Sequence, residues 1–115
     1  MAALKPVNLV AGDTWARSWV LSDDAGQPID LTGASARLHV RDKQGTLHAS
    51  ATSALAGGIV ITPLTGRIEM EIAAATTGLL APGPYRYALE VTFGDGRVRT
   101  IETNNLVVSE DLTYG

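Results

Sequence analysis

The chain contains no cysteine, which excludes disulfides, thiolate metal ligands and thiol nucleophiles, so its stability has to come from packing. It has only two histidines and few aromatics, two Trp, three Tyr and one Phe, which is little material for a catalytic or metal centre. Neither sign of charge dominates: 9 Lys+Arg against 12 Asp+Glu give a formal net charge of −3. No basic field therefore draws the chain to nucleic acid or to an acidic membrane. No stretch approaches the roughly 18 uninterrupted apolar residues of a membrane span, and the first six residues lack the basic segment and apolar run of a secretory leader. These absences lead to the expectation of a soluble protein made in the cytoplasm, with no cofactor and with neither nucleic-acid nor membrane partners. What is present is 45% apolar residues over 115 positions, enough for one core and a single domain spanning residues 1–115.

Twelve glycines and five prolines divide the chain into short segments with strand chemistry. From Tyr85 to Phe93, the residues Tyr85, Tyr87, Leu89, Val91 and Phe93 alternate with Arg86, Ala88, Glu90 and Thr92, the period of a strand with one buried face. Ile68, Met70 and Ile72 alternate with Arg67, Glu69 and Glu71 in the same way, and Ala36, Leu38 and Val40 with Arg37, His39 and Arg41. Turn residues then suggest registers. A two-residue Gln44-Gly45 loop sets Lys43 opposite Thr46, Val40 opposite Ala49 and Leu38 opposite Ala51. A two-residue Asp95-Gly96 turn sets Phe93 opposite Val98, and Pro63-Leu64-Thr65-Gly66 sets Ile61 opposite Ile68 and Ile59 opposite Met70. After Val98 the pattern breaks, with Ile101 leaving the buried phase and Glu102 entering it, so a bulge is expected between Thr100 and Thr103.

The one helix candidate runs from Ala73 to Leu80 and is stopped by Ala81-Pro82-Gly83-Pro84. Further strands are expected at Val7 to Val10, Thr14 to Leu21 and Leu106 to Ser109. Seven to nine strands joined by antiparallel hairpins, with at most one short helix, imply an all-β immunoglobulin-like antiparallel sandwich; a small barrel would use the same strands.

Candidate chemistry is sparse. His39 and His48 fall together on the solvent face of one hairpin beside Arg41 and Ser50, without a third ligand nearby. Asp23, Asp24 and Asp30 surround Gly26 without the ligand spacing of a calcium loop. Glu69 and Glu71 share an outward strand face, as carboxylates do where a sheet is kept soluble. No serine sits in a nucleophile-elbow setting and no glycine-rich phosphate loop precedes a helix, so catalytic, cofactor and metal residues are all assigned as none. Trp15 and Trp19 share a face and are read as core, with an exposed sugar-stacking platform as the other reading.

One long run is distinctive: Gly12-Asp13-Thr14-Trp15, then Leu21-Ser22-Asp23-Asp24-Ala25-Gly26-Gln27-Pro28-Ile29-Asp30-Leu31-Thr32-Gly33. Later come Gly57-Gly58-Ile59-Val60-Ile61, Gly66-Arg67-Ile68 and Leu80-Ala81-Pro82-Gly83-Pro84-Tyr85-Arg86-Tyr87. Together they resemble the immunoglobulin-like domains of tailed-phage and prophage structural proteins, including the amino-terminal domain of the baseplate upper protein family. That family carries long segments after this domain, whereas this sequence stops at Gly115, which favours a small standalone virion protein. The resemblance implies a non-enzymatic virion component that docks on other phage structural proteins of the tail, baseplate or neck and is homo-oligomeric in the assembly. The expected interaction surface is the polar face carrying Arg37, His39, Arg41, Arg86 and Glu90, together with the sheet edges. The other reading is a carbohydrate-binding adhesion module using Trp15, Trp19 or Tyr114.

Overall fold

Period-two alternation builds eight strands in the computed structural model, which describes residues 5–110 and residue 112. They are β1 (Val7–Val10), β2 (Trp15–Val20), β3 (Ser35–Arg41), β4 (Leu47–Thr52), β5 (Ile59–Thr62), β6 (Arg67–Ile72), β7 (Gly83–Thr92) and β8 (Val98–Ser109). They form a five-stranded sheet in the order β1-β8-β7-β3-β4 and a three-stranded sheet in the order β2-β6-β5. The two sheets close on one core, in which Leu38, Val40, Ile68, Leu89, Val91 and Leu106 are fully excluded from water. The fold is therefore the expected all-β sandwich, and the barrel alternative falls away. One pairing differs from the all-antiparallel expectation: β1 lies parallel to β8, with Val7 opposite Leu106. The chain leaves β1 directly for β2 in the other sheet, so β1 has no hairpin partner and adds to an edge instead.

The β5–β6 register is as expected, with Ile61 opposite Ile68 and Ile59 opposite Met70. Both expected two-residue hairpins instead have three-residue loops. Asp42 N–H donates to the Thr46 carbonyl and Gly45 N–H to the Asp42 carbonyl, while Phe93 N–H donates to Arg97 and Gly96 N–H to Phe93. Gly45 and Gly96, at φ of 86° and 90°, take the left-handed position of a type I turn followed by a glycine bulge. In the first hairpin a shift between Val40 and Arg41 absorbs the extra loop residue, so Val40 still faces Ala49 and Leu38 faces Ala51, although Arg41 faces Leu47. In the second, Val98 faces Thr92, until the expected bulge at Ile101 changes the register between Leu89 and Glu90. Beyond it Leu89 faces Glu102 and Tyr85 faces Leu106, and the carboxylate of Glu102 turns inward.

The helix, α1 (Ala74–Thr77), is four residues long, shorter than the expected segment from Ala73 to Leu80. Its buried Thr77 hydroxyl donates to the Asp13 carbonyl at 2.6 Å and accepts from Gly12 N–H at 3.2 Å, tying the β1–β2 turn to the far end of β6. Residues 1–4, 111 and 113–115 lie outside the described residues, while the Lys5 carbonyl accepts a hydrogen bond from Asn104 at 2.8 Å.

Candidate functional site

Strand β3 reads Ser-Ala-Arg-Leu-His-Val-Arg, so Ala36, Leu38 and Val40 enter the core and Arg37, His39 and Arg41 leave it. The β3–β7 register sets Arg37 opposite Glu90, His39 opposite Ala88 and Arg41 opposite Arg86. All five residues singled out from the sequence therefore lie on one outward face. Because Ala88 ends at its methyl group, the longer side chains around it and Thr103 enclose a shallow depression of about 180 Å³.

The face is less evenly mixed than its composition suggests. Arg37 and Glu90 neutralise each other, with Arg37 Nη2 2.8 Å from Glu90 Oε1. Arg41 donates to the Gly45 carbonyl at 2.8 Å and lies 3.5 Å from His39 Nδ1, but meets no carboxylate among the described residues. Arg86 has no ion-pair or side-chain hydrogen-bond partner among the described residues. Two guanidinium-bearing residues thus face each other across adjacent strands, an arrangement that costs roughly 0.2–1 kcal/mol when nothing negative lies between them. Partial burial first, then the charges of Arg37 and Arg41, hold the His39 imidazole below its ordinary 6.5, with Glu90 opposing.

His48 does not join His39. The register shift at Val40/Arg41 disrupts the alternation, and His48 Nε2 sits 2.7 Å from Asp42 Oδ2 with its ring edge-on to Tyr85. His48 is exposed as expected, but it turns to Asp42 and Tyr85 rather than sharing the face of His39 and Arg41. Asp42 is the residue that organises this turn: its Oδ1 also accepts from Gln44 and Thr46 N–H, and the hydrogen bond with His48 is the leading cause holding its carboxyl below the usual range. Asp23 and Asp30 are likewise used locally, Asp23 accepting from Ala25 and Gln27 and Asp30 from Thr32. Glu69 pairs with Arg67 at 2.9 Å. Among the described residues, no group of three or more His, Cys, Asp or Glu is placed to hold a metal ion.

A second charged cluster joins the two sheets. Arg17 of β2 donates through Nη2 to both oxygens of Glu102 of β8, at 3.1 and 3.0 Å, and the Tyr87 hydroxyl donates to Glu102 Oε2 at 2.7 Å. Burial, followed by this hydrogen bond, pushes the Tyr87 phenol up to about 12. Arg17 also lies over the rings of Trp19 and Tyr87 at 5.6 and 5.8 Å. Sequence reasoning did not assign this cluster; its trace was Glu102 falling into the buried phase after a bulge. Trp15 is 6% exposed and stacks edge-to-face on Tyr87, and Trp19 is half-buried against the core. Both indole N–H groups are buried without an acceptor among the described residues. The core reading of Trp15 holds, and the sugar-binding platform is corrected because Trp15 is buried and Trp19 is half-buried with Arg17 over its ring; Tyr114 lies outside the described residues.

No protein-family model matches the chain, and the search of curated proteins gives no match. Among solved structures, its fold is similar to that of CopC from Methylosinus trichosporium OB3b, at 14% sequence identity and a TM-score of 0.53, over 96% of this chain and 89% of that one. At such identity the likeness shows the β-sandwich alone. The expectation of a phage or prophage structural protein docking on tail, baseplate or neck subunits is accordingly withdrawn: the structural likeness is to CopC, and no family model or curated match supports a virion role.

Proposed function

We propose that the chain is a non-enzymatic binding domain that recognises an acidic segment of a protein partner on the outward face of its five-stranded sheet. The observation that carries this reading is the Arg41–Arg86 pair, two cations held opposite each other on a rigid sheet with no carboxylate between them. A carboxylate entering the depression over Ala88 would meet both guanidinium groups and turn the repulsion into charge-assisted hydrogen bonding. An overall charge of −3 disfavours nucleic acid as the source of the negative groups. The test is a titration with a hexaglutamate peptide at low salt, followed by amide chemical shifts. Shifts should centre on Arg41, Arg86, Ala88 and Thr103, weaken at high salt and vanish in the Arg41→Gln, Arg86→Gln double variant. Shifts elsewhere, or none, overturn the reading.

A further inference from the structure

The two outer strands of the three-stranded sheet end differently. On the β5 side the sheet is closed, because Thr52 at the end of β4 forms a parallel bridge with Gly58. On the β2 side no strand follows among the described residues. The phase of the β2 backbone is set at two places that agree. Leu21 N–H donates to the Gly66 carbonyl at 2.8 Å, one step past the Val20–Arg67 pairing, and on the far side of β6 Glu71 N–H donates to the Gly58 carbonyl at 2.8 Å. Bonded and non-bonded positions alternate along an antiparallel ladder, so Trp15, Arg17 and Trp19 direct their backbone groups to β6, and Ala16, Ser18 and Val20 direct theirs away from it. Those three N–H and three C=O groups have no partner among the described residues.

The side chains match this openness. Ala16 and Ser18 are exposed and Val20 is 59% exposed, and none of the three is a charge or a proline, residues that usually keep an edge from pairing. The one charge of the strand, Arg17, turns inward, which would bar a partner strand if it were unmatched, but Glu102 neutralises it at 3.0 Å. Beside it Trp19 is only half-buried, with the Arg17 guanidinium 5.6 Å from its ring. An occupant suited to this edge is uncharged on the outer face and, on the inner one, brings an aromatic ring beside Arg17 and a cation beside Trp19. Strand β2 itself has both.

We propose that β2 pairs antiparallel with β2 of a second copy of this chain, about a two-fold axis passing by Ser18. Ser18 then exchanges both backbone hydrogen bonds with its counterpart, and Ala16 and Val20 of each copy exchange theirs with Val20 and Ala16 of the other, so every outward group is satisfied. On the inner face Arg17 meets Trp19 of the second copy at the close, non-bonded position, which covers the exposed part of each Trp19 and sets a second cation against its ring. On the outer face the flanking rows run Glu71, Ala16, Val20, Arg67 from one copy to the other, with Glu71 and Arg67 about 14 Å apart at Cα and only short side chains between them. Opposite signs therefore face each other across the seam in both rows. In the central row each Glu69 is held by its own Arg67 at 2.9 Å. The contact uses the opposite sheet from the basic face, so it stands or falls separately from the reading above. One strand per copy makes a small interface, so association is reversible and depends on concentration.

The full chain should dimerise with rising concentration in analytical ultracentrifugation. The chain lacks cysteine, so a single introduced thiol reports one position alone. Ser18→Cys should oxidise to a disulfide-linked dimer at least about tenfold faster than Val60→Cys, exposed on the other outer strand, because bonded partners stand about 5.5 Å apart at Cα, within disulfide range. Ser18→Pro removes an N–H that the monomer leaves unused, so it should weaken the dimer by about tenfold or more while the melting temperature of the dilute monomer stays unchanged. Ser18→Lys, which sets two cations face to face at the axis, should weaken it likewise and serves where the proline variant does not fold. A chain that stays monomeric, a dimer indifferent to these substitutions, or Val60→Cys cross-linking as fast as Ser18→Cys overturns the proposal.

Discussion

Two arginine clusters in this molecule have opposite surroundings. Arg17 lies between the sheets, with the Glu102 carboxylate on its guanidinium, the Tyr87 hydroxyl on the same carboxylate and two aromatic rings within reach. Arg41 and Arg86 face each other on an outer surface, and the carboxylate of Glu90 on that face is occupied by Arg37. A charge withdrawn from water has to be matched within the fold, whereas a charge left in water can remain unmatched at little expense to stability and be available to a ligand. The first cluster is therefore a fastening, and the second is the surface proposed for binding.

This contrast can be broken in order of expected effect. Glu102→Ala leaves Arg17 without its counter-ion and the Tyr87 hydroxyl without its acceptor. It should lower unfolding stability by about 3 kcal/mol, read as a fall in the urea midpoint. Arg86→Gln removes one of two facing cations and should leave stability unchanged or raised by at most about 0.5 kcal/mol in the same titration, while weakening acidic-peptide binding. If the two substitutions cost the same, the division into fastening and binding surface is wrong. The smallest effect concerns pH. His39 is held below 6.5 in the folded chain, so between that lowered value and 6.5 the unfolded chain binds more protons than the folded one. Stability should therefore be fully present above 6.5 and fall on acidification through this window. His39→Gln should flatten that slope, which scanning calorimetry at pH 5 and pH 7.5 would detect.

Much of the fold could be read from short-range pattern. Alternation in Ser35–Arg41, Arg67–Ile72 and Gly83–Thr92 identifies both faces of three strands, and the buried phase ties Val40 to Ala49 and Ile61 to Ile68. The irregularity at Ile101 and Glu102 was also visible as a bulge. The hairpin loops were misjudged by one residue because Gln44-Gly45 and Asp95-Gly96 suit a two-residue turn equally well. Asp42 accepting from Gln44 and Thr46 favours the longer loop in the first case, and a shift at Val40/Arg41 hides the difference from the strand that follows. That same shift turns His48 away from His39, so a shared face that looks secure from parity is lost through one local irregularity.

The basic face was legible for the same reason as the strands: Arg37, His39 and Arg41 alternate on one segment and Arg86 and Glu90 on another. Which of these charges are matched was not legible, because matching depends on the register between β3 and β7, more than 40 positions apart in the chain. The inter-sheet fastening lies further beyond local reach, since Arg17 and Glu102 are separated by 85 positions and meet only when the two sheets close.

By itself, the order of residues determined that this chain builds strands with one apolar face, roughly where they end, and that a sandwich or a small barrel must cover those faces, because side-chain alternation and turn chemistry act over a few residues. Only the tertiary structure decided that β1 runs parallel to β8, that Glu102 is drawn inward to Arg17, that Arg41 and Arg86 remain unmatched, and that β2 is left as an edge. Each of these depends on which distant segments become neighbours, and that is settled by the joint burial of all the apolar faces at once.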